Sequence, residues 1–82
     1  MICDEILAVQ RRIRTARLAA LDGQCMVARH VMARAGRDLR RVKADDAIAT
    51  NPCARALAKG TSEFLAESRR KLGETCGRGG GR

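Results

Sequence analysis

The chain has 82 residues, a formal net charge of +8 and a single aromatic side chain, Phe64, with no Trp or Tyr. That length fits one domain with a small core, which must rely on regular helix packing, disulfides, a metal or a partner subunit. No apolar run approaches the roughly 18 residues that span a bilayer, and the opening Met1-Ile2-Cys3-Asp4-Glu5 is acidic rather than a basic lead into an apolar stretch, so a cytoplasmic protein is expected.

The first predicted helix runs from about Cys3 to Leu21. Ile2, Ile6, Val9, Ile13, Ala16 and Ala20 recur at alternating three- and four-residue spacing, which keeps them on one helix face. Asp4 and Glu5 stand in its first turn, where carboxylates complement the positive end of the helix dipole. Leu7, Leu18 and Leu21 lie off that stripe, so this helix is expected to touch two neighbours. Asp22-Gly23 then punctuates the chain, with Asp22 able to cap a second helix over about Gln24 to Val42. The alternative is one continuous helix through Gly23. The apolar face of the second helix is Ala28, Val31, Met32, Ala35, Leu39 and Val42. Gly36, inside that pattern, weakens it by up to about 1 kcal/mol relative to alanine.

Residues Ala44 to Thr50 lose the pattern, and Asn51-Pro52 restarts it, Asn as a capping side chain and Pro as a first helical residue. The third helix carries Cys53, Leu57, Phe64, Leu65 and Leu72, with Lys59-Gly60-Thr61-Ser62 as a place where it divides into two pieces. Gly73 and Gly77 end it, and Gly77 to Arg82 forms a Gly/Arg tail expected to be disordered. The expected fold is all-α, with about 70% helix or more and no sheet. Residues 1–76 form one helical domain, either a small three-helix bundle or a helical hairpin with a third helix packed across it.

Chemistry-bearing residues are sparse. Cys3, Cys25, Cys53 and Cys76 include no C-x-x-C pair, and His30 is the only histidine. Tetrahedral zinc sites draw their ligands in close pairs, so no metal is expected. Cys25 and Cys53 fall near predicted helix starts, where a thiol nucleophile would sit, but inert buried cysteine is the commoner case. His30 has no carboxylate or cysteine at helical spacing, and Asp45-Asp46 resembles a loop turn rather than an acid/base pair. No phosphate-cradling loop, nucleophile elbow or H-E-x-x-H motif is present. A non-enzymatic protein with no cofactor and no small-molecule substrate is expected.

The cysteines also test topology. In an up-down-up bundle Cys3 and Cys53 share one end and Cys25 and Cys76 the other, so any bridges should be Cys3–Cys53 and Cys25–Cys76. A simple hairpin would instead pair Cys3 with Cys76 and Cys25 with Cys53. A cytoplasmic setting favours free thiols over either pattern.

Arginines cluster on all three helices: Arg11, Arg12, Arg14 and Arg17 on the first, Arg34, Arg37, Arg40 and Arg41 with Lys43 late on the second, and Arg69 and Arg70 with Lys71 late on the third. Cations at helix C-termini answer the dipole, and an Arg-, Ala- and Gly-rich composition also follows from GC-rich codons. The functional reading is a polyanion-contacting surface of Arg11, Arg12, Arg14, Arg17, Arg37, Arg40, Arg41, Arg69 and Arg70, since the guanidinium fork matches phosphate oxygens. The Ala44–Thr50 connection is too long for the tight turn of a helix-turn-helix. A membrane-surface helix is disfavoured, because the first helix has no aromatic anchor and little net charge. The leading expectation is a small interaction protein that binds and inhibits or regulates a partner protein through the Ile2, Ile6, Val9, Ile13 face, with a homodimer through the same face as the self-associating form. Short, helical regulators without catalytic residues are common among phages and mobile elements, a comparison of class that no residue carries. The second reading is a nucleic-acid-binding accessory protein that uses the arginine clusters.

Overall fold

In a computed structural model of the chain, which describes residues 2–77, α1 spans Ile2–Leu21, α2 Cys25–Lys43, α3 Ala47–Thr50 and α4 Pro52–Cys76. Helix takes up 89% of the described residues and no strand occurs among them. The expected disordered tail lies, from Arg78 onward, outside the described residues.

Local chemistry sets each boundary. Gly23 adopts φ 82°, the left-handed conformation that closes a helix, while its N–H bonds the Ala20 carbonyl and that of Gln24 the Ala19 carbonyl. This ends α1 and excludes a continuous helix through Gly23. Asp22 supplies no cap, because α2 begins after Gln24 without a side-chain capping bond. Asn51 does cap α4 as expected: its side-chain oxygen accepts from the Ala54 N–H at 3.2 Å, with Pro52 in the first turn. α4 then runs unbroken through Lys59-Gly60-Thr61-Ser62 and through Gly73, ending only at Gly77, where φ is 78°. Two glycines cost about 1 kcal/mol each in a helix interior, and the packing of the flanking turns against α1 and α2 offsets that.

The three long helices form an up-down-up bundle about 45 Å long. Buried positions follow one rhythm: Ile6, Val9, Ile13, Ala16 and Ala20 on α1, Ala28, Met32, Ala35, Leu39 and Val42 on α2, Ala54, Ala58, Thr61, Leu65 and Ser68 on α4. Alternating steps of three and four keep each stripe facing its neighbours, as in knobs-into-holes packing. On α4 this departs from expectation. Its inward face is mostly Ala, Thr and Ser, whereas Leu57, Phe64 and Leu72 are half-buried at its flanks and Cys53 is exposed. Small side chains let α4 approach α1 closely, and a search for large apolar residues passes over them. Gln10 Nε2 donates to the buried Thr61 hydroxyl at 2.9 Å, tying the two helices through that face.

α3 occupies the stretch where the periodicity fails. The Asp45 carboxylate accepts from the Ala47 N–H at 2.8 Å and starts the turn, and Ile48 packs on the end cluster of Ile6, Val42, Ala54 and Ala58.

The cysteines fall as an up-down-up bundle requires. Cys25 and Cys76 are disulfide-bonded with Cα atoms 5.8 Å apart, joining α2 to α4 at one end. The expectation of free thiols fails here, because antiparallel α2 and α4 bring those two residues together. Cys3 and Cys53 meet at the opposite end as free thiols.

Candidate functional site

The stripe expected to meet a partner is inside the fold. Ile6, Val9 and Ile13 are each at most 1% exposed, and Ile2 is half-buried against the end cluster. The physical reason is the thinness of the rest of the core: with alanine supplying much of α2 and α4, these are among its largest fully buried side chains. Ile6, Val9 and Ile13 are covered within the chain itself.

The second line on α1 is left largely exposed by the described residues. Leu7 is 38% exposed, Leu18 65% and Leu21 74%. Across the α1–α2 turn, Met26 is 83% exposed and Val27 49%. Leu18 and Leu21 in the last turn of α1, and Met26 and Val27 in the first turn of α2, are thus exposed apolar groups at the end of the bundle that carries the Cys25–Cys76 bridge, and are called its crown below. Cations surround them. Arg14 and Arg17 stand one turn before Leu18 and Leu21, and a shallow pocket beside Leu21 is lined by Arg17, Lys71 and Leu72. Arg29 donates to the Cys76 and Gly77 carbonyls at 3.1 and 3.3 Å, placing a cation on the negative end of α4. The sequence shows large apolar residues on both sides of Asp22-Gly23, but not that the fold leaves them exposed there.

The arginine clusters do not converge on one face. Arg12 and Arg41 are held by Asp38 at 3.0 and 3.2 Å, with Arg34 at 4.0 Å from the same carboxylate. Arg70 is held between Glu67 and Glu74, at 2.6 Å from each. Its hydrogen bond is the main cause that keeps the Glu67 carboxyl below the usual range. Arg11, Arg14, Arg17, Arg37, Arg40 and Arg69 have no carboxylate within 4.0 Å among the described residues. Of these, Arg14 lies over the Phe64 ring, 5.9 Å from its centroid. Arg40 and Arg69 share a groove between α2 and α4 with Lys43, above a floor that includes Leu39 and Leu65. Past Lys43 and Ser62 the groove continues to Arg55, Lys59 and one carboxylate, Glu63.

His30 is exposed on α2. Among the described residues no three His, Cys, Asp or Glu side chains come close enough to share a metal ion, and no helix is long and apolar enough to cross a membrane.

Comparison with known proteins finds no family model, no curated protein and no solved structure that matches this chain.

Proposed function

We propose that this protein is a small non-enzymatic interaction protein that docks its apolar crown, Leu18, Leu21, Met26 and Val27, into an acid-rimmed apolar cleft on a partner protein and so modulates that partner. The exposure of those four side chains carries the reading. A chain this short gains from every large apolar group it buries, yet leaves these in solvent at one end, the pattern of a binding surface. α1 keeps its role as the amphipathic element, but by its outer line rather than the inner stripe. The charge around the crown selects the occupant. Arg14, Arg17, Arg29 and Lys71 are near it, with Asp22 the carboxylate of the turn itself. A second copy of the chain would set like charges against each other, whereas carboxylates on a different protein would pair with them.

The test uses the full chain and the double substitution Leu21→Asp with Met26→Asp. Both sites are largely exposed, so the melting temperature should stay within a few degrees of the parent. A partner identified by cross-linking and mass spectrometry, then purified, should bind the variant at least ten-fold more weakly, the loss expected of two central apolar contacts. Arg37→Ala with Arg40→Ala, on the far side, should leave that affinity within about two-fold. Equal binding of the crown variant and the parent overturns the reading.

The groove between α2 and α4 favours a second reading, nucleic-acid binding through Arg40, Lys43, Arg55, Lys59 and Arg69. Its mark is an affinity for nucleic acid that falls steeply with salt and is lost in the Arg40 and Arg69 variants but not in the crown variant.

A further inference from the structure

Cys3 and Cys53 stand 50 residues apart in sequence, yet their sulfurs lie 2.8 Å apart, the Cys3 thiol donating to Cys53 Sγ. Three features of the fold produce that meeting. α1 and α4 run parallel, so their N-terminal ends coincide. Asn51 and Pro52 set where α4 begins, which puts Cys53 in its first turn. Small residues at Ala54 and Ala58 let that turn close down on Ile2 and Ile6 of α1. Neither thiol is sealed in the core: Cys3 is half-buried and Cys53 exposed, so a small thiol reagent can reach the pair. At the other end the same architecture already holds a closed bridge, Cys25–Cys76.

We infer that Cys3 and Cys53 are a paired oxidation site that closes to a second disulfide in the working protein, clasping α1 to α4, and that the protein works in an oxidising compartment. The reaction is thiol–disulfide exchange with a low-molecular-weight disulfide, such as oxidised glutathione. The Cys53 thiolate attacks one sulfur of that disulfide, forming a mixed disulfide and releasing one glutathione thiolate. The Cys3 thiolate then attacks the Cys53 sulfur, forming the Cys3–Cys53 bond and releasing the second. The two protons from the cysteines end on the two glutathione thiols, and the protein gives up the two electrons that reduce the reagent. The bond that Cys3 donates raises its thiol above its ordinary pKa, so closure speeds up as the solution is made more alkaline. With both bridges in place all three long helices are joined covalently, α2 to α4 at one end and α1 to α4 at the other. Such a framework persists where thiols are not kept reduced. It therefore points away from the cytoplasmic setting that the acidic N-terminal residues suggested.

The four cysteines fall in four different tryptic peptides, 1–11, 18–29, 44–55 and 72–78, so the connectivity can be read directly. The folded full-length protein is equilibrated with oxidised glutathione, blocked with iodoacetamide and digested without reduction. Peptide 1–11 should be linked to 44–55 and 18–29 to 72–78, with alkylation lost at both Cys3 and Cys53. Cys3 and Cys53 both alkylated while Cys25–Cys76 stays closed would overturn the inference. So would a lasting glutathione adduct at Cys53, or 1–11 linked to 72–78. The chain with Cys25→Ser and Cys76→Ser provides an independent measurement. Its remaining pair should still close intramolecularly, giving a monomer with no titratable thiol; a Cys3- or Cys53-linked dimer counts against the inference.

Discussion

Ser68 is the one buried side-chain polar atom without a hydrogen-bond partner among the described residues. It occupies an inward position of α4, 0% exposed, where alanine fills the equivalent positions at Ala54 and Ala58. A buried hydroxyl that makes no bond costs about 1–3 kcal/mol of desolvation, and serine is a poorer helix former than alanine. Ser68→Ala should therefore stabilise the protein by about 1 kcal/mol, raising the melting temperature by about 4–8 °C in a domain of this size. A lower melting temperature would show that the hydroxyl has a partner in solution. Thr61, two turns earlier on the same face, predicts the opposite, because its hydroxyl accepts from Gln10 and Thr61→Val removes that bond. At the surface, Arg70 holds Glu67 in its ionised form, so the folded-state pKa of Glu67 lies below the unfolded one. This contribution is present above the unfolded carboxylate value, near 4.3, and is lost as pH falls through the lower folded value. Arg70→Ala should shift the Glu67 midpoint upward in a carboxyl NMR titration, and an unchanged midpoint would remove Arg70 as the cause. Roles of this kind were not legible in the sequence. Residue type alone does not separate the satisfied hydroxyl at Thr61 from the orphan at Ser68; only the position of Gln10 across the helix interface does.

At the level of the elements, periodicity was the strongest guide to which face is apolar, and it was silent about what covers that face. The six positions from Ile2 to Ala20 do line one face of α1, and from Ile6 onward that face is buried. What the pattern cannot express is whether an apolar face meets its own chain or another, since the burial physics is the same. The choice turned on how much core the remaining helices supply, and α2 and α4 supply mostly small residues. α4 was less legible for the same reason, because Ala54, Ala58, Thr61 and Ser68 carry little hydrophobic signal while keeping the three–four rhythm. α3 was missed because four residues with one large apolar group, Ile48, are too few to display a period. These facts fix the outcome of an Ile13 truncation. Ile13 is 0% exposed within the central cluster of Val9, Ala16, Met32, Ala35, Leu39 and Leu65. Ile13→Ala should cost about 2–5 kcal/mol, the range for large-to-small changes in close-packed cores. Denaturant titration at several protein concentrations separates the two roles. A midpoint that falls and does not vary with concentration marks the core position; a concentration-dependent midpoint would restore the association face.

At the scale of the whole molecule, topology was the most legible property, because the cysteines report it independently of periodicity. An up-down-up bundle and a simple hairpin demand different pairings, and Cys25 bonded to Cys76 fits only the former. The exposed apolar crown proposed as a docking surface was the least legible. Leu18 and Leu21 stood out as off the stripe, but Met26 and Val27 lie beyond the Gly23 turn, and no spacing rule spans that turn. The bridge should also carry a large share of the stability. It closes a loop of 51 residues, and constraining a chain of that length in the unfolded state is worth about 4 kcal/mol in the loop-entropy account. A domain of this size has about 4–12 kcal/mol in total, and the end of the bundle at the bridge has few other anchors: Ala20 and Ala28 are its buried apolar groups, and Leu21 and Met26 point to solvent. Cys25→Ala with Cys76→Ala should therefore lower unfolding free energy by about 3–4 kcal/mol, read from urea titrations of the two proteins. The loss should concentrate at that end, so amides of α2 near Ala28 and of α4 near Leu72 should lose hydrogen-exchange protection before those near Ile13. Equal midpoints for parent and variant, with protection unchanged around Ala28, would mean that packing alone holds that end closed. The crown would then stand on a platform that needs no covalent tie.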